Sequence, residues 1–123
     1  MKIYRCSICG NIIVKLSDSG VTPTCCGEEM VLLKANTTDG ALEKHVPQVK
    51  LNENHVEVQI GEVIHPMIET HYIEWVLLET DKGFQVKYLK PQQEPRCCFE
   101  LGDEKLLAVY EYCNLHGLWK KEM

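Results

Sequence analysis

Nine of the chain's twelve cysteines and histidines group into two candidate metal-ligand sets of different chemistry. Cys6, Cys9, Cys25 and Cys26 form an all-thiolate set near the start. His45, His65, His71, Cys113 and His116 form an imidazole-rich set with one thiolate. Sites made only of thiolates are closed and are either structural or electron-carrying. A site of several imidazoles with one thiolate is suited to chemistry on a bound ligand.

The thiolate set begins with a Cys6-x2-Cys9 knuckle, in which two thiolates on a tight turn face one ion. Gly10 follows and tolerates the backbone conformation that results. The second pair, Cys25-Cys26, is adjacent. Neighbouring side chains normally diverge, so the backbone there must bend, and Gly27 relieves that bend. Iron and zinc both fit four thiolates, and spacing alone does not choose between them. Four free thiols, or a vicinal Cys25–Cys26 disulfide, are the alternatives.

In the second set, His65 and His71 lie six residues apart, and Cys113 and His116 three apart. His45 sits in Glu43-Lys44-His45-Val46-Pro47. Any one of these histidines alone reads as an ordinary surface or core residue; their combination is the signal. Five ligands are too many for tetrahedral zinc and suit iron with one octahedral position open. A thiolate on such an ion pushes electron density toward a bound oxygen species, as in thiolate-ligated haem. Two rival readings stay open at this point: a zinc-ribbon fragment fused to a β-sandwich binding domain, and a two-centre electron carrier without a substrate.

The elements that must position these residues are strands. Ile12-Ile13-Val14-Lys15 and Met30-Val31-Leu32-Leu33 are short apolar strands around the two knuckles. Asn36-Thr37-Thr38-Asp39-Gly40 is a polar joint, and residues 41–44 have room for one helical turn. The pattern is strand-like from about residue 54, where His55-Val56-Glu57-Val58-Gln59-Ile60 alternates with period two. Asp81-Lys82-Gly83 is a hairpin signal between 72–79 and 84–89, and residues 104–112 form the last long strand. The fold class expected is all-β: a small metal-pinned module over residues 1–36, then a β-sandwich over 37–123. A segment of about 35 residues cannot build a sufficient core and needs a staple such as a metal.

Composition narrows the function classes. The chain has 123 residues and a net charge of -5, with no basic run interleaved with aromatics, so nucleic acid is not an expected partner. Apolar runs such as Trp75-Val76-Leu77-Leu78 are too short to span a membrane. The count of seven cysteines is odd, and Met1-Lys2-Ile3-Tyr4-Arg5-Cys6 is no export signal, so a cytoplasmic location is expected. In that compartment paired cysteines bind metal more often than they form disulfides.

Taken together, these motifs resemble the desulfoferrodoxin family, the two-centre form of superoxide reductase, over essentially the whole chain. Cys6-x2-Cys9 with Cys25-Cys26 is similar to the desulforedoxin-type iron site. Glu43-Lys44-His45-Val46-Pro47, His65-Pro66-Met67 with His71-Tyr72-Ile73, and Cys113-Asn114-Leu115-His116-Gly117-Leu118-Trp119 are similar to the catalytic-domain signatures. The resemblance implies a desulforedoxin-like module, an immunoglobulin-like sandwich, a homodimer and two iron ions, Fe(Cys)4 and Fe(His)4(Cys). It implies equatorial His45, His65, His71 and His116 with axial Cys113. Lys44 is then expected near the open position, and Glu43 is expected to occupy that position in the oxidised state. The implied reaction is one-electron reduction of superoxide to hydrogen peroxide without oxygen evolution. A rubredoxin-like protein is the implied donor.

Cys97-Cys98 and His55 fall outside both sets. Cys98 reads as a small buried hydrophobe in the strand that continues through Phe99 and Leu101, with Cys97 facing the other way; a reactive thiol or a contingent disulfide is the alternative. His55 lies on the polar phase of its strand and reads as solvated surface.

Overall fold

The computed structural model describes residues 1–38 and 40–123. Asp39, in the expected joint, lies outside the described residues. The chain divides into two compact units, Met1–Lys34 and Ala35–Met123.

In the first unit, β1 (Ile3–Arg5) pairs antiparallel with β2 (Ile12–Val14) and β5 (Val31–Leu32), while β3 (Thr24–Cys25) pairs with β4 (Glu28–Glu29). Its buried apolar side chains are Ile3, Tyr4, Cys6 and Met30, the last three clustered with Cys25 packed against them. So few side chains cannot hold this unit on hydrophobic burial alone. Four thiolates on one ion provide the staple its size requires.

The second unit starts with α1 (Leu42–His45), a single turn, and continues as seven strands. β6 (Pro47–Asn52), β7 (His55–Ile60) and β10 (Arg96–Glu100) form one sheet, in the order β10-β7-β6. β8 (Ile73–Thr80), β9 (Gly83–Tyr88), β11 (Leu106–Cys113) and β12 (Gly117–Glu122) form the other, in the order β12-β11-β8-β9. All pairings are antiparallel, and three strands facing four give the expected immunoglobulin-like sandwich. Period-two alternation sets the inner faces. Val56, Val58 and Ile60 of β7 and Phe99 of β10 meet Val76 and Leu78 of β8 and Val109 and Cys113 of β11 in one core cluster. Among the described residues no helix is long and apolar enough to cross a membrane.

Two expectations need correction. The strand pattern begins at Pro47, not near residue 54. β6 is an edge strand, exposed at Gln48, Lys50, Leu51 and Asn52, so its sequence carries little alternation. Proline is tolerated as its first residue because no ladder hydrogen bond is lost there. The second correction is at Cys97-Cys98. Cys97 packs on the core and Cys98 is exposed, the reverse of the expected phase. Period two places Cys97 on the same face as Phe99.

Candidate metal centres

The four N-terminal thiols converge, with their sulfurs within 4.8 Å of one another. Cys9 Sγ lies 3.6 Å from Cys25 Sγ, and Cys25 Sγ lies 3.9 Å from Cys26 Sγ. Four sulfurs at about 2.3 Å from one tetrahedral ion are about 3.8 Å apart, so the spacing fits. The Cys25–Cys26 separation is far beyond the roughly 2.05 Å of a disulfide bond, and all seven cysteines are free. The expected bend is present: Cys26 has φ 52° and Gly27 φ 78°. Gly10 has φ 83°, and its amide donates to Cys6 O at 3.0 Å, closing the first knuckle.

The electrostatics of this cluster demand a cation. The backbone amides of Cys9 and Ile8 hold the Cys6 thiol down to about 6. The neighbouring cysteines, Cys9 first, push Cys26 up to about 12 and also raise Cys25. Four thiolates do not coexist here without positive charge among them, which is what a bound iron ion supplies.

In the second unit the loops at one end of the sandwich bring four imidazoles into a ring. His45 comes from α1, His65 and His71 from the β7–β8 connection, and His116 from the turn between β11 and β12. Neighbouring ring centroids are 4.7 Å (His45–His65), 4.6 Å (His65–His71), 5.1 Å (His71–His116) and 4.8 Å (His116–His45) apart, each pair near edge-to-face. The His45–His71 diagonal is 6.4 Å. A tetrahedral set would make all separations alike; four short edges and a long diagonal describe a square. Cys113, the last residue of β11, joins the set, with Sγ 3.9 Å from His116 Nδ1.

The nitrogens facing the centre are bare acceptors. His45 Nδ1 donates to Ala41 O at 2.8 Å and His65 Nδ1 to Pro66 O at 2.6 Å, which leaves both Nε2 atoms unprotonated toward the centre. Those two Nε2 atoms are 3.2 Å apart, and His45 Nε2 is 3.1 Å from His116 Nδ1. Two donors at right angles, each about 2.1 Å from one ion, would be about 3.0 Å apart. His71 Nε2 is buried with no protein partner. Burial lowers the proton affinity of His45 and His71 and brings His65 down to about 4, so protons do not fill this place near neutral pH. A metal cation among the imidazoles is the arrangement that satisfies all four.

Cys113 is fully buried, and burial pushes its thiol up. The amides of Leu115 and His116 oppose that by donating to the sulfur. Glu43 and Lys44, the two remaining expected site residues, are exposed on α1 immediately before His45. The Lys44 ammonium contributes to depressing both His45 and His71, which places its charge within reach of the ring.

Several residues that support the centre were not assigned a role from the sequence, although Asn114 and Trp119 lie within the Cys113–Trp119 motif. Trp119 is fully buried, stacks on His45 at 4.7 Å and donates from Nε1 to His116 O at 3.0 Å. Asn114 ties the Cys113 loop to the His71 loop, accepting from the Tyr72 amide at 2.9 Å and donating to Thr70 O at 3.1 Å. Gly40 packs on His45, His116 and Trp119. Gly61, at φ +85°, lies against the backbone of Lys44 and Val63. Glu111 lies between Val76 and Trp119 on neighbouring strands, fully buried, and neither carboxyl oxygen has a protein partner. Burial pushes its carboxyl well above the usual carboxylate range.

Known proteins match both parts of the chain. Residues 37–122 match the desulfoferrodoxin family and residues 1–33 the desulfoferrodoxin N-terminal domain. A desulfoferrodoxin of Nitratidesulfovibrio vulgaris is 47% identical over 121 residues, covering 98% of this chain and 95% of the relative. The solved superoxide reductase of Treponema pallidum superposes with a TM-score of 0.82 at 35% identity, covering 98% of each chain. A solved superoxide reductase of Giardia intestinalis, 36% identical, covers 66% of this chain and 97% of its own, with a TM-score of 0.57. Matches to both parts of one family, at this identity and in this order along the chain, leave a single assignment: the chain belongs to the desulfoferrodoxin family.

Proposed function

We propose that this chain is a superoxide reductase, converting superoxide to hydrogen peroxide with one electron and two protons and without releasing oxygen. The observation that carries the reading is the square of four imidazoles completed by one buried thiolate. An iron ion held by His45, His65, His71, His116 and Cys113 supplies a one-electron reductant beside the substrate.

The chain's own residues do the rest. Cys113 would donate electron density to a bound iron, and the amides of Leu115 and His116, which hydrogen-bond its sulfur, would tune how much the sulfur retains. The carbonyls of Ala41 and Pro66 fix the tautomers of His45 and His65, so their Nε2 lone pairs face inward. Lys44 draws the anionic substrate toward the ring, against the opposing net charge of -5. Glu43, exposed beside it, would supply a carboxylate to the open side of the centre in the oxidised resting state. Solvent reaches these exposed side chains and is the source of the two protons.

The working division of the chain is 1–36 for the thiolate iron module and 37–123 for the catalytic domain. The first centre acts mainly as the staple of its small unit, a role supported by the sparse buried set of Ile3, Tyr4, Cys6 and Met30. The external donor is a rubredoxin-like protein, and the protein works in the cytoplasm as a homodimer. Phe84, Val86 and Tyr88 form an exposed apolar row on the edge strand β9, which supports pairing with a second copy. The test is to add superoxide to the reduced protein under anaerobic conditions. Reduction yields one peroxide per superoxide and no oxygen; half that peroxide with oxygen evolution would mean dismutation and overturn the proposal.

A further inference from the structure

The one histidine and one exposed cysteine that neither iron centre uses stand together. On the outer face of the β10-β7-β6 sheet, Cys98 lies directly across from Glu57, and Glu100 directly across from His55. Two residues on each of two paired strands therefore form a block on one face. The donor atoms of His55, Glu57 and Cys98 lie within 4.8 Å of one another. The set mixes nitrogen, carboxylate oxygen and sulfur, so it is not an ordinary acidic surface.

The second observation is how His55 is held. Its Nδ1 donates to Glu100 Oε1 at 2.5 Å. That contact fixes the tautomer and leaves the Nε2 lone pair on the side of Glu57, whose Oε1 is 3.8 Å away. A carboxylate behind a histidine, with the opposite nitrogen turned to further donors, is the arrangement that orients metal-binding imidazoles. A hollow of about 430 Å³, lined by Glu57 and Cys98 with Gln48, Lys50, Gln59 and Arg96, opens on the same face. Arg96 is drawn toward Glu94 at 3.9 Å and not toward the cluster.

We propose that His55 Nε2, Glu57 and Cys98 form a third, surface metal site for a borderline divalent cation such as zinc, with Glu100 as the positioning residue for His55. Three protein donors of this kind plus one water complete a tetrahedral zinc site. The thiolate and the carboxylate balance the charge of the ion. The paired strands fix the donors in place, so binding requires no rearrangement of the fold.

The test uses the full-length, iron-loaded protein under a non-thiol reductant, dialysed against zinc, with iron and zinc measured by elemental analysis. One added zinc per chain, with both irons retained, is expected. His55→Ala and Cys98→Ser should each abolish that uptake. Glu100→Ala should keep the stoichiometry and weaken zinc binding by about 10–100-fold. In a parallel measurement, zinc should slow iodoacetamide labelling of Cys98 in the parent protein and leave it unchanged in His55→Ala. Zinc taken up only in exchange for iron, uptake unaffected by Cys98→Ser, or labelling of Cys98 indifferent to zinc would each overturn the proposal.

Discussion

Replacing Gly61 by alanine tests whether tight backbone packing positions the segment that carries Glu43, Lys44 and His45. A Cβ at Gly61 would lie 2.3 Å from Val63 O and 2.6 Å from Lys44 O. Both neighbours are backbone, and to restore ordinary contact they must retreat by about 1 Å. The amide of Val63 donates to Glu43 O at 2.8 Å, so the shift is transmitted along α1 into His45. A displacement of that size beside the reacting centre lowers a rate by about 100-fold. Stability falls too, by about 1–2 kcal/mol for the left-handed conformation and about 1–3 kcal/mol for the overpacking. Gly102→Ala is the control, because Gly102 has φ +64° and nothing within 4 Å of its added Cβ. It should lose only the conformational part, about 4–8 °C of melting temperature per kcal/mol in a domain of this size, and keep full activity. Rapid mixing of reduced protein with superoxide, normalised to iron content, gives the rate, and thermal melts give the stability. A Gly61→Ala protein with the parent rate, or one that melts with Gly102→Ala, would refute the reasoning.

Lys44→Met should slow superoxide capture by about tenfold or more and flatten its dependence on ionic strength; an unchanged salt dependence would remove Lys44 from steering. Cys113→Ser should abolish the thiolate-to-iron charge-transfer absorption of the second centre, leaving that of the first, and cripple reduction; near-normal turnover would contradict its place as an iron ligand. Cys9→Ser should empty the first centre yet leave steady-state turnover with an external donor close to the parent value; loss of that turnover would make the first centre an electron relay. His65 falls to about 4, and His45 and His71 are also lowered, in each case chiefly by burial. Between pH 6.5 and 4 the unfolded chain therefore takes up protons that the folded one refuses, so stability of the metal-stripped protein should drop as pH falls through that window. Buried Glu111, whose carboxyl is raised, contributes with the opposite sign, so urea titrations at pH 7 and pH 5 are made on a Glu111→Gln background, where equal midpoints would contradict the assignment of buried neutral imidazoles.

The ligands were legible because they are rare residue types in fixed groupings: a Cys-x2-Cys pair, an adjacent pair, and histidines close to loop-forming sequence. The sandwich was legible where one face is buried, as in β7, whose Val56, Val58 and Ile60 alternate with polar neighbours. It was illegible in β6, where an exposed edge leaves propensity without pattern. Cys98 was misplaced because its type suggests burial, while its position opposite the phase of Phe99 dictates exposure. The roles of Trp119, Asn114 and Gly61 were illegible because their contribution is to touch residues distant in sequence. Only the folded chain shows that Trp119 reaches His45 and that Asn114 reaches Tyr72.

The spread of the two ligand sets along the chain fixes the order in which they can be completed during synthesis. The first centre needs nothing beyond Cys26, and its contacts are local. The second needs His45 and His116 in one ring, a closure spanning most of the sandwich, and Trp119 in β12 must follow to seat His45. Loop closure of that reach comes late in folding. A nascent chain offered iron can therefore assemble the thiolate centre while the imidazole centre does not yet exist. Preparations containing shortened chains will carry colour from the first centre without catalytic capacity, and only absorption specific to the Cys113-ligated iron counts finished enzyme.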